Sequence, residues 1–148
     1  MPTAAPDPSG YSGTPLPKKL GIRPGHRVRF AAAPPEFAAA LGELPHPVDI
    51  VAPDDDSAAG LDLAVFFTTS ADELRGRFDR LAASLQPAGM LWIAWPKKAS
   101  RIPTDLTEDV VRQIALDGGM VDVKVCAIDA TWSGLKLVYR LKDRPGKG

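Results

Sequence analysis

One apolar run, residues 61–68, constrains the fold of this chain more than any other feature. Leu63, Val65 and Phe66 leave it with no continuous polar face. Such a strand is typical of a parallel sheet that is covered on both faces, whereas strands with one solvated face alternate between apolar and polar residues. The run therefore predicts a layered α/β domain with this strand near its centre.

Helices and further strands alternate around this run. After it, Ser70 and Glu73 form a capping-box pattern, and apolar residues then recur at helical spacing. Alternation of strands and helices along a chain is typical of a largely parallel sheet. Further strands are predicted at residues 27–31, 48–51 and 90–95, and further helices at 14–20, 34–41 and 105–117, the last with a cap at Asp105 and Glu108.

The last part of the chain changes its period. Apolar and polar residues alternate over 121–127 and again over 135–140. Alternation with a period of two predicts strands, and the short connection at 129–134 makes the pair an antiparallel hairpin, because a parallel return needs a longer crossover. The sequence therefore predicts a mostly parallel six-stranded sheet that closes with a C-terminal antiparallel hairpin.

Length and composition indicate one domain with two tails. A chain of 148 residues fits a single core. Residues 1–13 carry little to bury and predict a flexible tail, 14–141 the domain and 142–148 a second tail. With 18 basic and 18 acidic residues, the charge does not favour nucleic acid. We expect no membrane segment, and the single Cys126 and absence of a signal peptide favour the cytoplasm.

The element order and two local phrases carry a resemblance. Residues 22–28 (IRPGHRV) and 85–91 (LQPAGML) precede strands, and with the order of elements from 21 to 140 the chain resembles class I S-adenosylmethionine-dependent methyltransferases. This resemblance implies a Rossmann-like three-layer α/β sandwich. The runs at 10–15, 95–100 and 131–138 are also similar to a small bacterial family whose function is unknown. That resemblance implies a bacterial cytoplasmic protein and transfers no activity.

The chain departs from the methyltransferase pattern after its first strand. That fold holds its cofactor with a glycine-rich turn, where missing side chains let backbone N–H groups approach closely. Here residues 32–36 read AAPPE. Pro34 and Pro35 each remove a donor, and Glu36 places negative charge near the cofactor's carboxylate. We therefore expect no cofactor, and S-adenosylmethionine in particular is not expected to bind.

Two clusters are candidate ligand sites. Lys97, Lys98 and Ser100 follow a predicted strand, at the edge where open α/β sheets bind ligands, and can hold a phosphate or carboxylate. The alternative is a solvated lysine pair in a surface loop.

The hairpin turn supplies the second cluster. Trp132 can stack on a ligand ring, with Asp129 and Lys136 as polar partners. An indole that only covers the end of the sheet is the alternative.

Other polar residues are weaker candidates for a functional site. The aspartates 54–56 follow the second strand, where an acidic residue can bind ribose hydroxyls, but an exposed acidic turn has the same pattern. His26 and His46 lack ligand spacing, so no metal site is expected. Residues 10–13 lack the last step of a nucleophile elbow. Cys126 is expected to be a buried, inert thiol.

No catalytic residue can be assigned from these patterns. The sequence favours a non-catalytic, methyltransferase-like domain that binds a partner protein or a small anionic ligand. One alternative is an enzyme acting on a phosphorylated or carboxylated metabolite through Lys97, Lys98 and Ser100. A third is a methyltransferase with an atypical cofactor grip.

Overall fold

A computed structural model of the protein describes residues 14–55 and 57–140. The predicted flexible tails at 1–13 and 142–148 lie outside the described residues. So do the 10–13 motif, Asp56 and position 141, the last predicted residue of the domain.

Four α-helices and six strands make up the described part of the chain, with one 3₁₀ turn at Lys98–Ser100. The helices are α1 (Leu16–Leu20), α2 (Phe37–Leu41), α3 (Ala71–Ala83) and α4 (Glu108–Asp117). The strands are β1 (Arg27–Ala31), β2 (Asp49–Val51), β3 (Leu61–Phe67), β4 (Leu85–Pro96), β5 (Met120–Ala127) and β6 (Trp132–Tyr139).

The six strands form one sheet in the order β2-β1-β3-β4-β6-β5. β2, β1, β3 and β4 are parallel to their neighbours, whereas β6 is antiparallel to both β4 and β5. The predicted fold class, a mostly parallel six-stranded sheet with a closing antiparallel hairpin, is confirmed.

Helices cover both faces of β3, as its apolar run predicts. On one face, α3 and α4 pack Leu74, Phe78 and Ile114 against a cluster that includes Phe66. On the other face, α1 and α2 pack against Leu63, Val65 and Phe67 together with the buried Trp92. The indole Nε1 of Trp92 donates to the carbonyl oxygen of Leu20 at 2.9 Å, which ties α1 to the sheet.

The helix caps differ from the prediction at α4. Ser70 caps α3 as expected, since its Oγ accepts from the N–H of Glu73 at 3.1 Å. The predicted cap of α4 at Asp105 is wrong, because Thr107 takes that role and accepts from Val110. Asp105 instead accepts from the N–H of Ala71 at 2.8 Å, so its carboxylate satisfies the first donor of α3.

Other details of the elements also differ from the prediction. The first helix begins at Leu16 behind Pro15, without a side-chain cap from Thr14. β4 begins at Leu85 rather than residue 90, because Leu85 already pairs with Leu61 ahead of a register shift. In β5 a second register shift, between Asp122 and Lys124, interrupts the predicted alternation.

None of the helices in the described part of the chain is long and apolar enough to cross a membrane.

Candidate functional site

The carboxyl ends of β1, β2, β3 and β4 lie at one edge of the sheet, where open α/β folds bind their ligands. The segments that follow these strands begin at Ala32, Ala52, Thr68 and Lys97. The hairpin turn joins them, because β6 begins at Trp132 opposite Pro96 of β4.

The turn after β1 has an unusual backbone. Ala32 has φ +59°, in the left-handed region that residues other than glycine rarely adopt. Alanine is the smallest residue with a Cβ, and Ala31 and Ala33 on either side are equally small. The turn thus holds, without glycine, a backbone conformation that glycine ordinarily supplies, and it leaves little side-chain bulk at the edge of the sheet.

A cavity of about 490 Å³ opens beside this turn, lined by Ala31, Ala32, Pro53, Asp54 and Arg77. This volume lies within the range of roughly 300–1,000 Å³ typical of small-molecule sites. Asp54 follows β2 on one side of β1, and Arg77 comes from α3 on the other side. The cavity is therefore bordered by one carboxylate and one guanidinium, with the small alanines of the turn between them.

Two lining residues of this cavity, Arg77 and Pro53, contact side chains of the sheet. The guanidinium carbon of Arg77 lies 5.1 Å from the centre of the Phe66 ring, within cation–π range. Arg29 is 1% exposed, and its Nε donates to the carbonyl oxygen of Pro53 at 2.9 Å. The segment that carries Asp54 is thus tied to β1.

Asp55 fixes the same segment from the other end. Its Oδ1 accepts from the hydroxyl of Ser57 at 2.6 Å and from the N–H of Ser57 at 3.0 Å. These bonds, and more weakly the nearby Arg29 and Arg27, lower the pKa of Asp55. Asp55 is therefore held by local bonds, whereas Asp54 stays exposed beside the cavity.

Sequence reasoning missed Arg29 and Arg77. In β1 the arginines alternate with Val28 and Phe30, which suits a strand with one solvated face. In the structure Arg29 is buried, so its guanidinium needs a polar partner inside the fold. The run of aspartates after β2 was the sequence signal that could have indicated arginines nearby.

Lys97 and Lys98 line a second cavity of about 620 Å³ together with Arg101. Ser100 is not among its lining residues. Its Oγ donates to the carbonyl oxygen of Lys97 at 2.7 Å and accepts from the N–H of Ile102, which closes the local turn. The structure thus brings the two lysines together with a third cation and gives the serine hydroxyl a local bonding role.

The hairpin residues are only partly brought together. Asp129 Oδ1 accepts from the N–H groups of Thr131 and Trp132, both at 2.8 Å, so it shapes the turn. Trp132 is buried and packs edge-on against Phe67 with 5.3 Å between ring centres, as the alternative of a sheet-end cover predicts. Lys136 lies four residues further along β6, and burial and Lys124 lower its pKa.

Of the remaining candidates, His26 bonds to a residue near it in sequence and Cys126 is partly buried. The Nδ1 of His26 accepts from the N–H of Arg23 at 3.1 Å. Within residues 14–55 and 57–140, no three His, Cys, Asp or Glu side chains are grouped as metal ligands. Cys126 is half-buried, and burial raises the pKa of its thiol against the opposing effect of Lys19 and Lys124.

Comparison with solved structures finds many similar chains, and several of them are described as methyltransferases. A protein from Sulfolobus solfataricus assigned as a type 11 methyltransferase has a TM-score of 0.63 and 13% identity, over 86% of this chain and 91% of that one. A S-adenosylmethionine-dependent methyltransferase from Aquifex aeolicus has a TM-score of 0.58 and 16% identity, over 81% and 85%. The magnesium protoporphyrin IX methyltransferase of Synechocystis PCC 6803, solved with S-adenosylhomocysteine (SAH), has a TM-score of 0.53 and 13% identity, over 84% and 78%.

These likenesses show the fold: the chain has the Rossmann-like α/β fold of class I methyltransferases. No match is found among protein-family models or among curated proteins.

The comparisons contradict two predictions made from the sequence. The non-catalytic module and the anion-clamp enzyme are wrong as functions, and so is the expectation that S-adenosylmethionine does not bind. The finding against both is that most of the solved neighbours of this fold are described as methyltransferases, and that several neighbours hold S-adenosylmethionine or SAH. The expectation rested on the AAPPE turn, where two prolines remove donors and Glu36 adds negative charge. In the structure Ala32 of this turn adopts the left-handed backbone that glycine ordinarily supplies.

Proposed function

We propose that the protein binds S-adenosylmethionine and transfers its methyl group to an acceptor. The observation that carries this proposal is the cavity at the carboxyl ends of β1 and β2, opened by the left-handed turn at Ala32 and bordered by Asp54. It lies at the sheet edge where this fold class binds its ligands.

The residues present fit such a cofactor. The alanines 31–33 keep side chains short where the backbone must approach a ligand, and the N–H groups of Ala32, Ala33 and Glu36 remain as donors in a turn that loses two to proline. Asp54 is exposed beside the cavity, in place to accept hydrogen bonds from ribose hydroxyls. When bound, S-adenosylmethionine supplies an electrophilic methyl group on a sulfonium sulfur.

The second cavity is our proposed place for the methyl acceptor. Its lining has three cationic side chains, Lys97, Lys98 and Arg101, against the one carboxylate of Glu108, and this excess of positive charge favours a small anionic molecule over a cationic or apolar one. Ser100 has no part in this proposal because its hydroxyl is bonded within the turn. We also propose that the protein belongs to the small bacterial family that its sequence resembles and that it acts in the bacterial cytoplasm.

Calorimetric titration with SAH tests cofactor binding directly. We expect one molecule of SAH to bind per chain, and Asp54→Ala to weaken binding by about 10- to 100-fold. That range corresponds to losing hydrogen bonds to a charged group, each worth roughly 1.5–3 kcal/mol.

Asp72→Ala is the matched control for this titration. Asp72 is an exposed carboxylate in the first turn of α3, paired only loosely with Arg75 at 3.8 Å. Its removal changes a surface charge by the same amount and is expected to leave SAH binding unchanged. Absence of SAH binding to the unmodified protein at millimolar concentration would overturn the proposed function.

A further inference from the structure

The proposed cofactor carries a carboxylate, and the turn after β1 is poor in groups to bind it. Pro34 and Pro35 have no N–H, and the N–H of Phe37 already donates to the carbonyl oxygen of Pro34 at 3.0 Å. Glu36 adds a negative charge to the same turn. A ligand carboxylate held here needs a positive group from another element.

Arg77 is placed to supply that group. It is the cationic side chain among the residues that line the 490 Å³ cavity, and its guanidinium lies over the Phe66 ring. Phe66 pairs with Ala31 across β3 and β1, so Arg77 borders the cavity on the side of the β1 turn. A guanidinium over an aromatic face is a group that binds carboxylates through its planar set of donors.

The two charges of the cavity are separated in a way that matches the ligand. Asp54 follows β2, and Arg77 lies over β3, with β1 between them in the sheet. If the ribose of the ligand lies at the end of β2, beside Asp54, the amino-acid part of the ligand lies over the β1 turn, on the side of Arg77. A carboxylate there meets a cation, whereas the reverse orientation would place it beside Asp54.

We propose that Arg77 binds the carboxylate of S-adenosylmethionine, so that a side chain from α3 replaces the backbone donors of a glycine-rich turn. This inference rests on the proposed function and concerns the same cavity. It makes Arg77 a binding residue whose contribution depends on the carboxylate of the ligand.

The test compares two ligands that differ in their amino-acid part. SAH carries an amino group and a carboxylate on that part, whereas 5′-methylthioadenosine keeps the adenosine and sulfur and ends in a methyl group. We expect the unmodified protein to bind SAH at least about 10-fold more tightly than methylthioadenosine, as measured by calorimetry. Arg77→Gln is expected to weaken SAH binding to the level of methylthioadenosine and to change methylthioadenosine binding by less than about 2-fold.

Two further variants keep the result interpretable. Arg75→Gln removes the same charge from an exposed position of the same helix and is expected to leave both affinities unchanged. Arg77→Lys keeps a cation over Phe66 but loses the planar pair of donors, so its affinity for SAH should fall between those of the unmodified protein and Arg77→Gln.

The outcomes separate the two proposals. If SAH binds and Arg77→Gln binds it equally well, the role of Arg77 is wrong while the proposed function stands. If Arg77→Gln weakens both ligands by the same factor, Arg77 acts on the cavity as a whole and the inference is again wrong. If neither ligand binds the unmodified protein, the proposed function itself fails.

Discussion

Ala32 holds a left-handed backbone angle in the turn after β1, at the edge of the first cavity. A left-handed conformation costs a residue with a Cβ roughly 1–2 kcal/mol, and proteins keep such conformations chiefly where the surroundings require them. Ala32 is exposed, so packing of its own side chain does not compensate for this cost. The strain instead coincides with the edge of the 490 Å³ cavity.

Glycine at this position should therefore be tolerated. We expect Ala32→Gly to match or exceed the unmodified protein in free energy of unfolding, because relief of the left-handed strain offsets the greater entropy of an unfolded glycine. Urea denaturation measures the difference.

The neighbouring alanine provides the control. Ala33 has no positive φ, so Ala33→Gly gains no relief of strain and should lose roughly 0.4–1 kcal/mol. Equal destabilisation by both substitutions would show that the left-handed angle at Ala32 is not a source of strain.

Among the elements, α3 borders the first cavity and is bonded to the segment that precedes α4. It carries Arg77 at the first cavity, and its N-terminus is held by Asp105, which precedes α4. A carboxylate at a helix N-terminus satisfies a free donor and interacts favourably with the helix dipole. Asp105 therefore anchors the segment between the lysine turn and α4 to the start of α3.

Removing that carboxylate should loosen the connection. We expect Asp105→Ala to lower the free energy of unfolding by about 1 kcal/mol, the usual cost of losing such a cap. Asp109→Ala, which removes an exposed carboxylate from the first turn of α4, should change it much less. If the two variants were equally stable in chemical denaturation, the bond from Asp105 to Ala71 would make no net contribution.

The elements that sequence patterns predicted well are those with local causes. The Ser70 cap and the apolar run of β3 depend on residues close in sequence, and both were predicted. The function of Asp105 was not, because its partner Ala71 lies 34 residues away and a nearer hydroxyl, Thr107, caps α4. The extra length of β4 was missed for the same reason, since Leu85 is a strand residue through its pairing with Leu61.

For the molecule as a whole, the order of strands and helices was predictable but the site was not. The alternation of elements and the closing hairpin determine which strand ends meet at one edge, and Lys97 and Lys98 lie at that edge after β4. The first cavity depends on contacts that cross the sheet, from Arg77 to Phe66 and from Arg29 to Pro53. No short-range pattern contains these pairs, so composition of the β1 turn alone led to the wrong conclusion on the cofactor.

The central claim is that S-adenosylmethionine and its product occupy the cavity at the carboxyl ends of β1 and β2. Titrating ¹⁵N-labelled protein with SAH and following the amide resonances by NMR tests this claim residue by residue. We predict saturable shifts for the amides of Ala31, Ala32, Ala33 and Asp54, with the far edge of the sheet unaffected. Absence of shifts at saturating SAH, or shifts confined to residues 97–101 at the second cavity, would contradict it.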